Sequence, residues 1–205
     1  MSSTGLLCIL LSYLAGAIPF GVLLSRGSGI DIRSQGSGNI GATNVARLLG
    51  KKMGLITLLF DIAKGFIPIF CTALVVQADP NRTLILALSG AATVLGHMFP
   101  VYLRFHGGKG VATALGLFLY LAPWAVALVL LVFLATVRFT GYVSAGSLVG
   151  AASMPLWLLV LGGKPWEIAL AVFVVLMIWI KHKDNISRLL KGTEKSWKKG
   201  SGDDA

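Results

Sequence analysis

Apolar residues in this chain fall into long runs separated by short polar gaps: Gly5 to Leu24, Met53 to Val76, Leu84 to Leu103, Val111 to Val137, Tyr142 to Leu161 and Trp166 to Ile180 are uncharged or nearly so. A helix needs about 20 such residues to cross the hydrocarbon core. The pattern therefore predicts an all-α, polytopic membrane protein. The gaps are uneven in charge. Arg26, Arg33, Arg47, Lys51 and Lys52 follow the first run, Arg104 and Lys109 follow the third, and Lys181, Lys183, Arg188, Lys191, Lys195, Lys198 and Lys199 follow the last. By the positive-inside rule these three groups face the cytoplasm, whereas the gaps at Arg82 and Lys164, with one cation each, face outward.

Six spans with the N-terminus outside would place the basic tail outside as well. One crossing is therefore missing, and the run Val111 to Val137, interrupted by Pro123, is the place for it. Its roughly 27 residues at about 1.5 Å each exceed the core thickness. Splitting it near Leu121, with a return that ends at Arg138, gives a seven-transmembrane helix bundle, N-terminus periplasmic and C-terminus cytoplasmic. The competing reading keeps this run as a single tilted helix. Residues 1–191 form a single transmembrane domain on this reading, and 192–205 form a polar C-terminal tail expected to fray.

Composition supports the membrane class, with 56% apolar residues, 13% charged residues and a net charge of +10. The 18 Lys and Arg sit in the gaps rather than over a soluble surface. Cys8 and Cys71 lie inside apolar runs and are too few for a disulfide framework. The first run lacks the basic flank of a signal peptide and reads as a retained span. Trp124, Trp157, Trp166 and Trp179 fall near span ends, where aromatic belts form.

Three polar segments carry candidate chemistry. In Ser34 to Arg47 the glycines at 36, 38 and 41 formally match a dinucleotide fingerprint, but that pattern has meaning only between a strand and a helix. What remains is an anion site, with glycines that let the backbone wrap tightly, donors at Ser37, Asn39, Thr43 and Asn44, and charge at Arg47. The plainer reading is a polar loop that caps the next helix. Arg104 to Thr113 resembles a Walker A loop only superficially, since Gly110 replaces the Ser or Thr and Leu103 replaces the first Gly. Gly107, Gly108 and Gly110 around Lys109 still present amides and an ammonium at a helix N-terminus, with Thr113 in the first turn. In the third segment His182 and Asn185 are three apart and share a helix face, with Arg188 one step further. A basic juxtamembrane helix against anionic lipid is the alternative there.

Two further groups lie inside runs. Asp61 and Lys64, three apart, are expected to form a mutual ion pair lining the bundle interior, structural first. His97 reads more readily as a packing or hydrogen-bonding residue than as a catalyst.

Taken together, the SGN-GATN-R segment, the GH-FP and GGKG-AT segments and the HK-NI-RL-G-E segment resemble the acyl-phosphate:glycerol-3-phosphate acyltransferase family, PlsY, in motif order and placement over the whole chain. The resemblance implies a multi-pass bacterial inner-membrane enzyme with a cytoplasmic active site, moving a fatty acyl group from acyl phosphate to glycerol 3-phosphate. The products are lysophosphatidate and phosphate, in the first step of phospholipid synthesis. It marks Lys109, Arg47, His182 and Asn185 as the principal functional residues. Ser37, Gly38, Asn39, Gly41, Thr43, Asn44, Gly107, Gly108, Gly110, Thr113, Ser144 and Arg188 are expected to bind substrate. Membrane lipids and, transiently, the soluble enzyme that makes acyl phosphate are the expected partners, with no nucleic acid.

The chemistry agrees with such a reaction. An acyl phosphate carries a good leaving group, so no covalent Ser or Cys intermediate is needed, and no nucleophile-base pair is evident. The obstacle is negative charge on two phosphates and on the developing oxyanion, which Lys109 and Arg47 are placed to neutralise. His182 is either a general base for the glycerol hydroxyl or a ligand to glycerol 3-phosphate, with the acyl phosphate accepting the proton. Ser144 either adds a hydrogen bond to substrate or caps its helix. No cofactor and no metal are expected, because neither clustered carboxylates nor Cys/His spacing occurs. The rival function is an organophosphate transporter or flippase gated by the same loops, although no internal repeat is visible.

Overall fold

The apolar runs fold as helices, and proline and glycine decide where they stop. In the computed structural model, which describes residues 1–197, α1 spans Ser3–Ala17 and α2 spans Phe20–Ser25, divided at Ile18 and Pro19. A short amphipathic α3, Ala42–Leu49, leads through Gly50 into α4, Lys51–Val75. Next come α5, Arg82–Met98, a 3-10 turn at Val101–Leu103, and α6, Val111–Leu121. Pro123 opens α7, Pro123–Thr140, after a non-helical Ala122, and α8, Val143–Val160, follows Gly141. The last helices are α9, Pro165–Lys181, and α10, Lys183–Leu190. No strand occurs among the described residues.

The run from Val111 is thus two helices, as its proline suggested. α6 has 11 residues, a length of about 16 Å and roughly half the hydrocarbon thickness. Five segments are long and apolar enough to span a bilayer, and a sixth arises if α9 and α10, bent by 63° at His182, count as one. This is a polytopic membrane protein, with many large apolar side chains, among them Leu59, Ile67, Leu131 and Leu159, on its surface.

The chain divides into two compact units, residues 1–121 and the remainder. In the first, α1 packs on α5, and α4 packs on α3, α5 and α6. Ser2 Oγ bonds to Asp79 in the α4–α5 turn, so the N-terminus and that turn share one end of the unit. At the other end, Ile32, Ile40 and Val45 form a small apolar cluster against Val22, Met53 and Leu103. That cluster joins the first glycine-rich segment to the chain entering the second. In the second unit α8 packs on both α7 and α9.

Two helix crossings in the first unit need glycine for closeness of approach. A Cβ on Gly16 or Gly96 would overlap the backbone of α5 or α1, and one on Gly65 or Gly116 would overlap the Thr113 or Ile62 carbonyl oxygen across the α4–α6 contact. Because the obstructing atoms are backbone, neither helix yields by a rotamer change. Gly116→Val is expected to destabilise the unit by about 1–3 kcal/mol, as overpacking does, read as a lower thermal midpoint in detergent. An unchanged midpoint would contradict the crossing.

Inside the same unit Asp61 and Lys64 form the expected ion pair, at 2.8 Å, with both side chains 3% exposed. Lys64 Nζ also donates to the Ile18 carbonyl at 2.8 Å, an acceptor released where Pro19 breaks the helix.

Candidate active site

The first loop is braced from within. Arg33 grips the Asp31 carboxylate through Nε at 2.9 Å and Nη2 at 3.0 Å, which holds that carboxyl below its usual range. Gly36 and Gly38 take positive φ values of 66° and 68°, turning the chain at a sharpness that costs other residues strain. The buried Asn44 fixes this turn. Its Nδ2 donates to the Ile32 and Gln35 carbonyls at 2.9 and 3.1 Å, and its Oδ1 accepts the Ser37 N–H at 2.8 Å. Both amide hydrogens are committed inside the loop, so Asn44 is a brace rather than the substrate donor expected from sequence. Asn39 Oδ1 accepts the Gly41 N–H at 2.9 Å and so shapes the entry to α3. Ser37, Gly38, Thr43 and Arg47 are exposed.

The second loop folds back onto the end of α5. Arg104 and Phe105 are left-handed at φ 50° and 64°, a strain of about 1–2 kcal/mol per residue for non-glycine side chains. They are held by the Phe105 N–H to the Pro100 carbonyl at 2.9 Å and the His106 N–H to the Leu103 carbonyl at 3.0 Å. The Gly108 N–H then donates to the His97 carbonyl at 3.1 Å. Gly107 lies against the His97 and Met98 carbonyls, and Gly108 against the His97 ring, so closely that a Cβ at either position would collide. Lys109, half-buried, stands between the buried Gly108 and Gly110, at the mouth of α6. The first amides of α6 lack intrahelical acceptors and, with the ammonium, make an anion-receptive end. Thr113 is fully buried one turn inside. The two loops thus lie at the same end of the first unit, connected by the Ile32, Ile40, Val45 and Leu103 cluster.

In the second unit the bend between α9 and α10 buries His182, whose Nδ1 lies 2.8 Å from the Ile178 carbonyl. A carbonyl oxygen only accepts, so Nδ1 carries a hydrogen and Nε2 is the basic nitrogen of the neutral ring. Asn185, buried one turn on, donates through Nδ2 to Glu194 Oε1 at 2.6 Å. Ser144 Oγ donates to the same oxygen at 2.6 Å, and Arg188 Nε donates to Glu194 Oε2 at 2.6 Å. Three expected site residues therefore converge on one carboxylate whose side chain is 8% exposed. Glu194 is the last letter of the HK-NI-RL-G-E segment, and the sequence alone gives it no role. The available signal was an acidic residue flanked by Lys191 and Lys195 and closing the third motif. The tail up to Trp197 does not fray as expected: the Thr193 N–H bonds to the Arg188 carbonyl at 2.9 Å and the Trp197 N–H to the Gly141 carbonyl at 2.8 Å. Residues 198–205, including Lys198 and Lys199, lie outside the described residues.

Burial pushes the Glu194 carboxyl up, but the hydrogen bonds from Ser144, Asn185 and Arg188 and the Arg188 charge outweigh it and hold the group below its ordinary 4.5. A depressed folded value means stability that is present above the unfolded value and is lost as pH falls through the folded one. The parent is therefore expected to lose more thermal stability than Glu194→Gln between about pH 6 and about pH 3. Equal losses would remove Glu194 from the acid response.

Among the described residues the protein is helical and membrane-embedded, and its two glycine-rich loops lie at one end of the first unit. The sequence model of the family described as glycerol-3-phosphate acyltransferase matches residues 6–192. A glycerol-3-phosphate acyltransferase of Desulfotalea psychrophila is 58% identical over 93% of this chain and 96% of its own length, and that of Geobacter sulfurreducens is 44% identical over 91% and 94%. The crystal structure of PlsY, an integral membrane glycerol 3-phosphate acyltransferase, in its glycerol 3-phosphate form superposes with a TM-score of 0.88 at 39% identity, covering 95% of this chain and 96% of that one. The lysophosphatidic acid form of PlsY gives a TM-score of 0.86 over 95% of both chains. The chain belongs to the glycerol-3-phosphate acyltransferase family, and it is a multi-pass membrane enzyme of that family.

Proposed function

We propose that this enzyme transfers a fatty acyl group from acyl phosphate to a hydroxyl of glycerol 3-phosphate, at the cytoplasmic face of a bacterial inner membrane. The observation that carries the reading is the pair of glycine-rich loops at one end of the first unit, with Lys109 and Arg47 as their cations. The hydroxyl oxygen attacks the acyl carbonyl carbon, the carbon–oxygen bond to phosphate breaks, and the hydroxyl proton leaves with the phosphate. Lys109, the α6 amides and the Gly107 to Gly110 backbone neutralise phosphate and oxyanion charge, with Ser37, Gly38, Asn39, Gly41, Thr43 and Arg47 completing the cradle. A mixed anhydride needs no protein nucleophile, which fits a set of donors and cations without one.

His182 and Asn185 hold the glycerol 3-phosphate, with Arg188 beside them in the same motif and Ser144, from the start of α8, joined to them through Glu194. Nε2 of His182 is the nitrogen able to accept from a substrate hydroxyl. Seven crossings, N-terminus outside and C-terminus inside, are the topology supported by the basic gaps. The soluble enzyme that makes acyl phosphate is then a transient partner at the cytoplasmic face.

Sidedness and donor are tested together in vesicles. Inverted membranes given acyl phosphate and labelled, membrane-impermeant glycerol 3-phosphate are expected to make lysophosphatidate, whereas sealed right-side-out membranes and acyl-CoA as donor give none. Product from right-side-out vesicles would reverse the topology. Accumulation of unacylated glycerol 3-phosphate inside vesicles would instead favour a transporter.

A further inference from the structure

The mechanism leaves three buried ionisable groups unused, Asp61, Lys64 and His97, at 2%, 5% and 4% exposure within the first unit. We propose that this cluster is the positioning element for both glycine-rich loops. The proposal rests on the reading of those loops as the phosphate site. His97 connects the cluster to the second loop. Its Nδ1 lies 3.7 Å from Asp61 Oδ1, an electrostatic contact longer than a hydrogen bond. Its opposite edge, Nε2, meets Gly108 so closely that no Cβ fits, and its carbonyl takes the Gly108 N–H at 3.1 Å. The residue before Lys109 is thereby held by ring and backbone together.

Lys64 connects the cluster to the first loop. Its ammonium, paired with Asp61 at 2.8 Å, donates to the Ile18 carbonyl at the break between α1 and α2 and lies 5.7 Å from the centre of the Phe20 ring. α2 then fixes the loop, because Gly21 contacts the Ile40 carbonyl oxygen without room for a Cβ. One carboxylate therefore ties Ile18, upstream of the first loop, to Gly108, inside the second. Stability alone does not account for this arrangement, since a buried ion pair contributes little that well-packed apolar residues would not. Charges inside a membrane span are costly, and an ionisable residue there points to a functional role. What the cluster sets is the spacing between the cations and amides of the two loops, which a shift of about 1 Å would spoil.

The test uses the full chain in detergent, with His97→Leu, His97→Asn and Asp61→Asn, each alone and combined with Lys109→Ala. Two readouts are taken: kcat/KM for acyl transfer, and titration of inorganic phosphate, which needs no turnover. Folded His97→Leu is expected to lose about a hundredfold in kcat/KM and to bind phosphate at least about tenfold more weakly. His97→Asn, which keeps a donor facing Asp61, is expected to recover most of both. Both losses should be clearly smaller in the Lys109→Ala background, the coupling expected of a residue acting through that loop.

Parent-like kinetics in folded His97→Leu, equal loss in the Leu and Asn variants, or losses that add to that of Lys109→Ala would overturn the proposal. If His97→Leu does not fold, the near-isosteric Asp61→Asn is judged by the same two readouts. Failure of that variant to fold as well would make the cluster a folding element and end the proposal. A parent that neither transfers acyl groups nor binds phosphate would remove the functional reading itself, whereas an active parent with unaffected variants removes only the positioning role.

Discussion

Lys109→Ala is expected to leave the protein folded and to lower kcat by about 10²–10³, the cost of removing one preorganised electrostatic contact from a transition state. The size follows from where the charge sits. Lys109 is half-buried between two buried glycines at the mouth of α6, with partial desolvation strengthening its field. Lys109→Arg keeps the charge but needs room for a planar fork in a loop already closed against α5, so it is expected to recover only part of the rate. Steady-state kinetics with a thermal midpoint for each variant checks this. A folded Lys109→Ala enzyme with parent kcat would take the second loop out of catalysis.

Glu194→Ala is expected to have the other large effect, on stability and activity together. Its carboxylate accepts from Ser144, Asn185 and Arg188 at 2.6 Å each; a hydrogen bond to a charged group contributes a net of about 1.5–3 kcal/mol, and three bonds sharing one carboxylate do not add. With Arg188 partly exposed, a net loss of about 3 kcal/mol is the reasonable scale. Activity is expected to fall about a hundredfold, because Asn185 and Ser144 lose the partner that fixes their rotamers. Glu194→Gln keeps an acceptor for two donors but presents an amide to Arg188, so it should be intermediate. Parent-like melting of Glu194→Ala would show that the carboxylate is not the anchor.

Much of the fold was legible because it rests on local patterning. Long apolar runs gave the helices, Pro123 divided the longest of them, and the i,i+3 spacing of Asp61 and Lys64 gave a pair found at 2.8 Å. The glycine-rich loops were legible as tight turns for the same reason, with Gly36, Gly38 and Gly110 at positive φ. What sequence could not reveal was which polar groups satisfy one another. Asn44 looks like any other donor in Ser34 to Arg47, yet both its amide hydrogens go to backbone carbonyls 9 and 12 residues away. Glu194 meets Ser144 across 50 residues, and no periodicity encodes a contact at that separation. The left-handed Arg104 and Phe105 are equally silent, since neither residue type favours that conformation.

The central claim is that glycerol 3-phosphate is the acceptor of an acyl group leaving phosphate, and one measurement addresses it most directly. Purified protein in detergent or cubic mesophase is given acyl phosphate, and inorganic phosphate and lysophosphatidate are followed together as glycerol 3-phosphate is varied. Phosphate release that depends on glycerol 3-phosphate and matches lysophosphatidate one for one is the predicted result. Release without the acceptor, or no release while glycerol 3-phosphate crosses a proteoliposome membrane, would contradict it.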